Sequence, residues 1–401
     1  MLDILSRPTR DNTFTRKELR TYAPYANTTL AKNDLIRIPI NNQNSFIYPH
    51  ESYLLIEGTV TQLDRADGAT FTPNFLAHLF SEIRLEANNH LIDSIKSPGI
   101  ATTLKNYASS AHSQRSESSD FAWVTTETPA LNRRFSYCVP LKKYLGFFDD
   151  YRKILFYNKL ELILLRSRSD AECLVRAHAD NLEAATINIE LTNVSWLMTH
   201  IDVKDVLKLQ ILKVLQRGQM VPINFRSWNY YEHPGLPQAT TVQWSISTTS
   251  AMNRPSYVLF GFQTNRRNNT ELSASSFDHV DLRNVQLYLN NTCYPYENMN
   301  ISFTQNKYSV LYKMFTGFLK SYYGYDNDEH MFDKSSFKHQ CPIIVLDTSN
   351  SPSIIKDGAC DVRAEFNFNT ALPANTIGCC LMISDKFCQY NPFTNLVTTD
   401  S

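Results

Sequence analysis

The alternation of apolar and polar residues is clearest in the second half of the chain. Residues Tyr257–Phe262 read YVLFGF, an apolar and aromatic run after Pro255, and such a run predicts a buried strand. Farther along, Val285, Leu287 and Leu289 alternate with more polar residues, which predicts a strand with one buried face. The polar loop between these two strands carries no catalytic motif. The pair therefore indicates a β framework.

The rest of the chain repeats this pattern, with roughly sixteen short strands and three or four short helices. Helical spacing of apolar residues predicts helices at Gly99–Ser109, Lys204–Gly218 and Lys307–Gly324. Asn88-Asn89 predicts the turn of a hairpin. Because strands and helices do not alternate, a doubly wound sheet is excluded. The pattern predicts an all-β fold of β-sandwiches or jelly rolls with a few short inserted helices, and it is consistent with two tandem jelly-roll β-sandwiches, a double jelly roll.

A length of 401 residues allows two domains of ordinary size. Residues 1–30 show no sustained periodicity, and we expect a flexible N-terminal arm, with an arm that docks onto a neighbouring subunit or an internal partner as the alternative. The strand pattern restarts at TINIELTNVSWLM after a connector, so we place the boundary near residue 185. The first jelly roll is expected at 31–185 and the second at 186–401, with a short C-terminal tail.

The charge balance argues against nucleic acid as a specific partner. The chain has 39 Lys and Arg residues against 39 Asp and Glu residues, whereas DNA-binding surfaces need a basic excess. No apolar stretch reaches 18 residues, so no membrane span is predicted, and the N-terminus lacks the apolar core of a signal peptide.

The eight cysteines show no CxxC spacing and no zinc-finger partners. Several lie in apolar strand-like runs such as IGCCLMI, where a buried thiol acts as a small apolar side chain. We interpret them as reduced cysteines of a protein made in the cytosol or nucleus. They are Cys138, Cys173, Cys293, Cys341, Cys360, Cys379, Cys380 and Cys388.

The search for chemistry yields few candidates, because phosphate-binding, dinucleotide-binding, hydrolase-nucleophile and zinc-protease motifs are all missing. Asp278, His279 and Asp281 crowd a strand start, where they could orient a base or hold a metal, although a turn with a satisfied histidine is the favoured interpretation. Asp149 and Asp150 are adjacent, and neighbouring residues of a strand face opposite ways, so they are read as a turn.

Two further groups of residues are less informative about chemistry. Asp326–His330 reads DNDEH and lacks the glycine and terminal glutamate of a calcium-binding loop. The aromatic-rich stretches Ser227–Pro234 and Ser321–Asp326 are predicted to be loops, and their aromatics favour an interface over a pocket. We therefore predict no catalytic, cofactor-binding or metal-binding residues, no cofactor and no enzymatic activity.

Several long segments resemble the major capsid protein of Polinton (Maverick) elements and adinto-like viruses. They are RPSYVLFGFQTN, FDHVDLRNVQLYLNNTCYP, Val139–Asp170, Val194–Ile201, Leu372–Lys386 and, less specifically, Phe80–Ser94. The resemblance implies two jelly rolls in tandem and a homotrimer that forms a pseudo-hexagonal capsomer of an icosahedral shell. It also implies neighbouring capsomers and minor capsid or penton proteins as partners. The location would be the virion, after synthesis in the host cytoplasm or assembly in the nucleus.

Two other functions remain open at this point. A carbohydrate-binding or capsid-derived tandem sandwich would be a ligand- or partner-binding protein with an aromatic-lined pocket. A bicupin enzyme would need clustered His and Glu ligands, and the ten histidines show no such spacing.

Overall fold

The computed structural model describes most of the chain, in the residue ranges that follow. They are 14–41, 45–61, 70–114, 134–156, 159–175, 188–216, 218, 220–246, 254–290, 292–324, 329–349, 360–391, 394 and 396–399.

The first half of the chain forms one lobe. Its strands are β1 (Phe14–Tyr22), β2 (Leu35–Asn41), β3 (Phe46–Thr61), β4 (Thr70–Phe71), β5 (Phe80–Ala87), β6 (His90–Lys96), β7 (Arg134–Pro140), β8 (Lys159–Arg166), β9 (Leu174–Val175) and β10 (Asn188–Val203). Its helices are α1 (Phe75–His78), α2 (Pro98–Ser109) and α3 (Gly146–Asp150).

Helix α4 (Asp205–Leu215) leads into a second lobe. The strands of that lobe are β11 (Val221–His233), β12 (Thr241–Ile246), β13 (Pro255–Thr264), β14 (Leu282–Leu289), β15 (Thr292–Tyr294), β16 (Ile344–Asp347), β17 (Val362–Phe368), β18 (Thr376–Tyr390) and β19 (Val397–Thr399). Two helices, α5 (Ser309–Tyr323) and α6 (Lys334–Gln340), lie between β15 and β16.

Both lobes follow the same chain path. The two main sheets of the first lobe have the orders β1-β10-β3-β7 and β2-β8-β5-β6, and those of the second have β11-β18-β13-β16 and β12-β17-β14-β15. Numbered within each lobe, and leaving out the short pair β4 and β9 and the added strand β19, the orders are identical. Paired antiparallel sheets with this path are jelly rolls. The fold class predicted from the sequence is confirmed.

Alternating burial explains why these segments form strands. Along β2, Ile36, Ile38 and Ile40 are fully buried while their neighbours reach solvent, as expected for a strand with one face on a core. The predicted hairpin is also present, since Asn88 and Asn89 connect β5 to β6 with φ values of 50° and 64°. Asparagine tolerates this left-handed backbone better than most residues.

Strands β13 and β18 are buried on both faces. Phe260 and Phe262 of β13 pack on Phe366 inside the second lobe. On the opposite face, Tyr257 packs on Phe318 of α5 and Gly261 lies beside Leu104 of α2. The continuous apolar run predicted as a buried strand therefore arises because a jelly-roll core lies on one side and helices on the other.

The predicted helices are confirmed at α2, α4 and α5. Gly324 caps helix α5 directly after Tyr323, and its φ of 72° lets its amide donate to the Lys320 carbonyl. Every residue of α2 is buried, because the helix lies between the two lobes.

Strand pairing corrects the predicted domain limits. The segment that begins near residue 186 was assigned to the second domain, but β10 pairs with β1 and β3 in the first lobe. A boundary at 185 would remove the second strand of that sheet, so the pairing places the boundary after Val203. Residues 14–22 of the predicted arm form β1, whereas residues 1–13 lie outside the described residues.

The backbones of α3 and β11 approach so closely that only glycine fits at Gly146. A Cβ atom there would lie 1.8 Å from the Arg226 carbonyl oxygen. We expect Gly146→Ala to destabilise the folded chain by about 1–3 kcal/mol, because α3 must move away from β11. Urea unfolding measures this change.

The control is Gly317→Ala, in the interior of α5, where a Cβ atom would meet no atom within 4 Å. That variant should gain about 0.5–1 kcal/mol from helix propensity. Equal stability of the two variants would contradict the close contact between the lobes.

Candidate functional site at the junction of the two lobes

The two lobes meet through a buried cluster of polar and aromatic side chains. Lys105 of α2 and Asp149 of α3 come from the first lobe. Trp228 of β11 and the pair Tyr322 and Tyr323 of α5 come from the second lobe. We call these five residues the lysine cluster.

Lys105 is fully buried and has partners on every side. Its ammonium group donates to Asp149 Oδ2 at 2.8 Å and to the Tyr323 hydroxyl oxygen at 2.5 Å. It also lies 4.5 Å from the centre of the Trp228 ring and 4.9 Å from the Tyr322 ring, at cation–π distance. One cation thus holds α2, α3, β11 and α5 together.

The ionisation of this pair is a balance of opposing effects. Burial lowers the pKa of Lys105, and the neighbouring Asp149 carboxylate opposes that shift. For Asp149, burial raises the pKa, but attraction to the Lys105 ammonium and the hydrogen bond from Tyr323 outweigh it and hold the pKa below its usual range. Each group therefore favours the charged form of the other.

A second ion pair lies beside the lysine cluster. The Arg226 guanidinium donates to both oxygens of Asp150, at 2.6 and 2.7 Å, and the Arg226 amide donates to the same carboxylate at 2.9 Å. The guanidinium lies 3.5 Å from the centre of the Tyr322 ring and donates to the Tyr322 carbonyl. This bidentate geometry fixes the end of α3 against β11.

Asp93 of β6 forms a third contact between the lobes. Its Oδ1 accepts a hydrogen bond from the Ser227 hydroxyl of β11 at 2.9 Å, and its Oδ2 accepts from the Phe147 amide of α3 at 3.0 Å. Burial raises the pKa of Asp93 to about 6, against the effects of the Phe147 amide and of the nearby Lys386 ammonium.

At the far side of the junction, charges from both lobes join again. The His78 ring is within hydrogen-bonding distance of Glu172 at 3.2 Å and of the Ser275 hydroxyl at 3.1 Å, and Ser275 belongs to the second lobe. Arg267 of the second lobe contacts Glu172 at 3.3 Å and also pairs with Glu232. Burial opposes ionisation of Glu172, but His78 and Arg267 lower its pKa to about 2.

The structure does not bring the predicted candidates for chemistry together as a site. Asp278 forms a bidentate ion pair with Arg266, and His279 stacks on Phe303 with ring centres 4.6 Å apart. Asp281 donates its amide to His279 Nδ1 at 3.0 Å. These are the contacts of a capped strand start, as the sequence interpretation favoured.

Two interpretations from the sequence missed the junction. Asp149 and Asp150 were read as an ordinary turn, but they end α3 and form the ion pairs to Lys105 and Arg226. The aromatic-rich stretches were predicted as loops, but Trp228 lies within β11, and α5 ends at Tyr323. The sequence did contain a signal: a pair of carboxylates lies in one largely apolar segment, and single basic residues, Lys105 and Arg226, lie in others. Most of Asp326–His330 lies outside the described residues.

The described residues show neither a metal-binding cluster nor a membrane-spanning helix. No cluster of three or more His, Cys, Asp or Glu side chains suited to a metal ion occurs among the described residues. None of the described helices combines the length and apolar character that crossing a membrane requires. All eight cysteines carry free thiols, and burial raises the pKa of Cys379 to about 12.

An open groove of about 450 Å³ lies next to the junction. Its charged lining residues already have partners, since Arg226 pairs with Asp150 and Lys386 donates to the Ile92 carbonyl at 2.6 Å. Among the described residues, the aromatic part of its lining consists of Phe225 and Phe387.

A family model described as the double jelly roll-like domain matches residues 69–388. The chain belongs to the double jelly roll-like domain family. A search of curated protein sequences finds no match.

Solved structures share the same fold with this double jelly-roll chain. PBCV-1 VP54, fitted into a reconstruction of the virophage Sputnik, aligns with a TM-score of 0.60 at 11% identity, over 99% of both chains. A chain of the Sputnik virophage structure gives 0.65 at 10% identity, over 100% of this chain and 91% of that one. The mavirus major capsid protein gives 0.57 at 10% identity, over 100% and 93%.

Removing one member of the buried Lys105–Asp149 pair should leave the other member buried without its partner. We expect Lys105→Met to cost about 3–5 kcal/mol of unfolding free energy, because Asp149 would remain buried without its cation. The double variant Lys105→Met/Asp149→Leu should recover part of this loss, since apolar residues of similar volume fill the space.

Chemical unfolding of both variants measures these changes. The control is Arg84→Gln, which removes a surface contact to Glu82 of 3.6 Å and should cost less than about 1 kcal/mol. If Lys105→Met lost as little unfolding free energy as this control, the lysine cluster would not hold the lobes together.

Asp93 should give the stability a recognisable pH dependence. Its folded pKa, about 6, lies above the unfolded value of about 3.9, so the folded chain binds the proton more tightly. Its contribution to stability is therefore greatest below about pH 4 and falls by about 3 kcal/mol as the pH rises through 6.

Asp93→Asn should remove this dependence. The unfolding free energy of the variant relative to the original chain should rise by roughly 2–2.5 kcal/mol between about pH 4 and about pH 7.5. Any effect of losing the Phe147 contact would shift the difference equally at all pH values. A difference that stays flat with pH would contradict the assignment.

Proposed function

We propose that this chain is a major capsid protein whose three copies form a pseudo-hexagonal capsomer of an icosahedral shell. The observation that carries the proposal is the pair of lobes with the same strand order, joined by a buried interface. A subunit with two like lobes offers six similar units to a closed three-fold ring. This function requires no catalytic residue and no cofactor.

The comparisons support a capsid function. The mavirus protein is itself a major capsid protein, and PBCV-1 VP54 has been fitted into the Sputnik virophage reconstruction. At 10–11% identity these likenesses show the fold. The finer assignment to the Polinton (Maverick) and adinto-like lineage rests on the sequence segments quoted above, such as Val139–Asp170 and Leu372–Lys386.

The rigidity of the junction fits a part of a shell. Lys105, Arg226 and Asp93 each tie the two lobes through a different strand or helix. Two lobes held at a fixed angle present fixed contact surfaces, and a closed ring needs such surfaces because a wrong angle would leave it open.

The partners and location follow from this function. Neighbouring capsomers and minor capsid or penton proteins would contact the trimer, and the protein would be located in the virion. It would be made in the host cytoplasm or assembled in the nucleus. Nucleic acid would not be bound specifically, since basic and acidic residues are equal in number.

The test is the mass of the purified chain in solution, by light scattering after size exclusion. We expect a particle of three chain masses, or larger assemblies, that dissociates to monomers only on extensive dilution. A monomer at every concentration and ionic strength would overturn the proposal. A monomer that also binds immobilised oligosaccharides would instead favour the ligand-binding sandwich.

A further inference from the structure

Equivalent sheets in the two lobes differ in what covers them. In the second lobe, the outward face of β11-β18-β13-β16 lies under helices, because Trp228 contacts Lys105 of α2 and Tyr257 contacts Phe318 of α5. The topological counterpart in the first lobe is β1-β10-β3-β7. We call the outward side of this first-lobe sheet the β1 face.

The strand register defines the residues of the β1 face. Trp196 and Met198 of β10 are buried in the core, so the residues between and beside them point outward. Outward residues that pair with one another on adjacent strands form rows across the four strands. The central rows contain Leu19, Thr21, Ser195, Leu197, Thr199, Tyr53, Leu55, Cys138 and Pro140.

These nine residues include no charged side chain. Leu19 is 49% exposed, and Thr21 is exposed beside it. Leu197, Tyr53 and Leu55 are partly exposed. An antiparallel sheet that faces water normally carries polar and charged residues on that side, so an uncharged outward face with exposed leucine is typical of a contact surface.

The other sheet of the first lobe supplies the contrast. Its outward residues include the ion pair of Arg37 with Glu161, and Glu82, Arg84 and Glu86 follow on the adjacent strand. This is the charged pattern of a solvated sheet. The absence of charge therefore distinguishes the β1 face from the other outward face of the same lobe.

Charges do occur at the ends of the β1 face. Lys17 pairs with Glu51 at 2.5 Å at one end, and Glu57 accepts a hydrogen bond from Ser136 at the other. An uncharged centre with a polar rim is the usual composition of a protein–protein interface.

We infer that the β1 face is covered by the second lobe of another copy of this chain. The argument is the internal repeat, since the matching face of the second lobe is already occupied by the first lobe of its own chain. In such a ring, first and second lobes would alternate, and each lobe would cover the equivalent outward sheet face of its neighbour. The contact between copies would then repeat the contact between the two lobes of one chain. This inference rests on the proposed trimer and identifies the surface that closes it.

The test places charge on the β1 face without disturbing the core. Leu19→Arg and Leu19→Arg/Thr21→Arg change exposed side chains on an edge strand, so both variants should fold. An unpaired charge buried on assembly should raise the concentration at which trimers dissociate by about a hundredfold or more. The matched control is Leu35→Arg, which changes a leucine 40% exposed on the other sheet.

Light scattering over a dilution series gives the masses, and circular dichroism with thermal unfolding shows that each variant is folded. Trimers for the original chain and Leu35→Arg, with monomers for the Leu19 variants, would support the inference. Trimers for all of them would overturn it and leave the capsomer intact. Failure of the original chain to form trimers would overturn the proposed function itself.

Hydroxyl-radical footprinting of the unaltered chain provides a second measurement, independent of any variant. Oxidation of Leu19 and Tyr53 should fall several-fold from the dilute monomer to the trimer, while oxidation of Leu35 stays constant. Equal oxidation of Leu19 in both states would overturn the inference.

Discussion

The burial of α2 between the two lobes is the constraint on which the rest of the structure depends. All twelve of its residues are buried, among them Thr102, Thr103, Lys105 and Asn106. A buried polar group without a partner is costly, and neighbouring segments supply partners for several of these groups. Asn74 donates to Thr102 at 2.8 Å, and Asn106 donates to the Lys143 carbonyl at 3.0 Å. Helix α2 is therefore specified by its neighbours as much as by its own sequence.

The lysine cluster shows why charges occur at the junction at all. Two apolar faces could pack at several angles, because apolar contact is not directional. The contacts of Lys105 with Asp149 and Tyr323 and the bidentate contact of Arg226 with Asp150 have strict geometry. A shifted junction would leave these charges buried and unpaired. The ion pairs thus contribute mainly to the choice of one arrangement, and apolar contacts such as that of Leu104 with Gly261 supply the attraction.

Local patterns were sufficient to predict several elements of the fold. The run at Tyr257–Phe262, the Asn88-Asn89 turn and the helix capped by Gly324 are each specified by a few adjacent residues, and all three occur as expected. Which strand pairs with which is not local. Strand β10 follows a connector and resembles the start of a new domain, yet its partners are β1 and β3, more than 100 residues earlier. The domain boundary was misplaced for that reason.

The junction was missed for the same reason. Lys105 and Tyr323 are separated by 218 residues, and no spacing in the sequence relates them. Taken alone, Asp149 and Asp150 look like a turn, because the meaning of a carboxylate pair depends on the cations opposite it.

The internal repeat relates the junction to the proposed assembly. Within the chain, one lobe covers the outward face of a sheet in the other, and that contact needs a buried helix with satisfied charges. The β1 face has the same position in the other lobe but an uncharged centre. On the proposed assembly surface, exposed charges would have to lose their hydration before they could pair with another copy, at a desolvation cost. The uncharged face avoids this cost, and the proposed assembly would account for two equivalent faces that differ in chemistry but share one strand order.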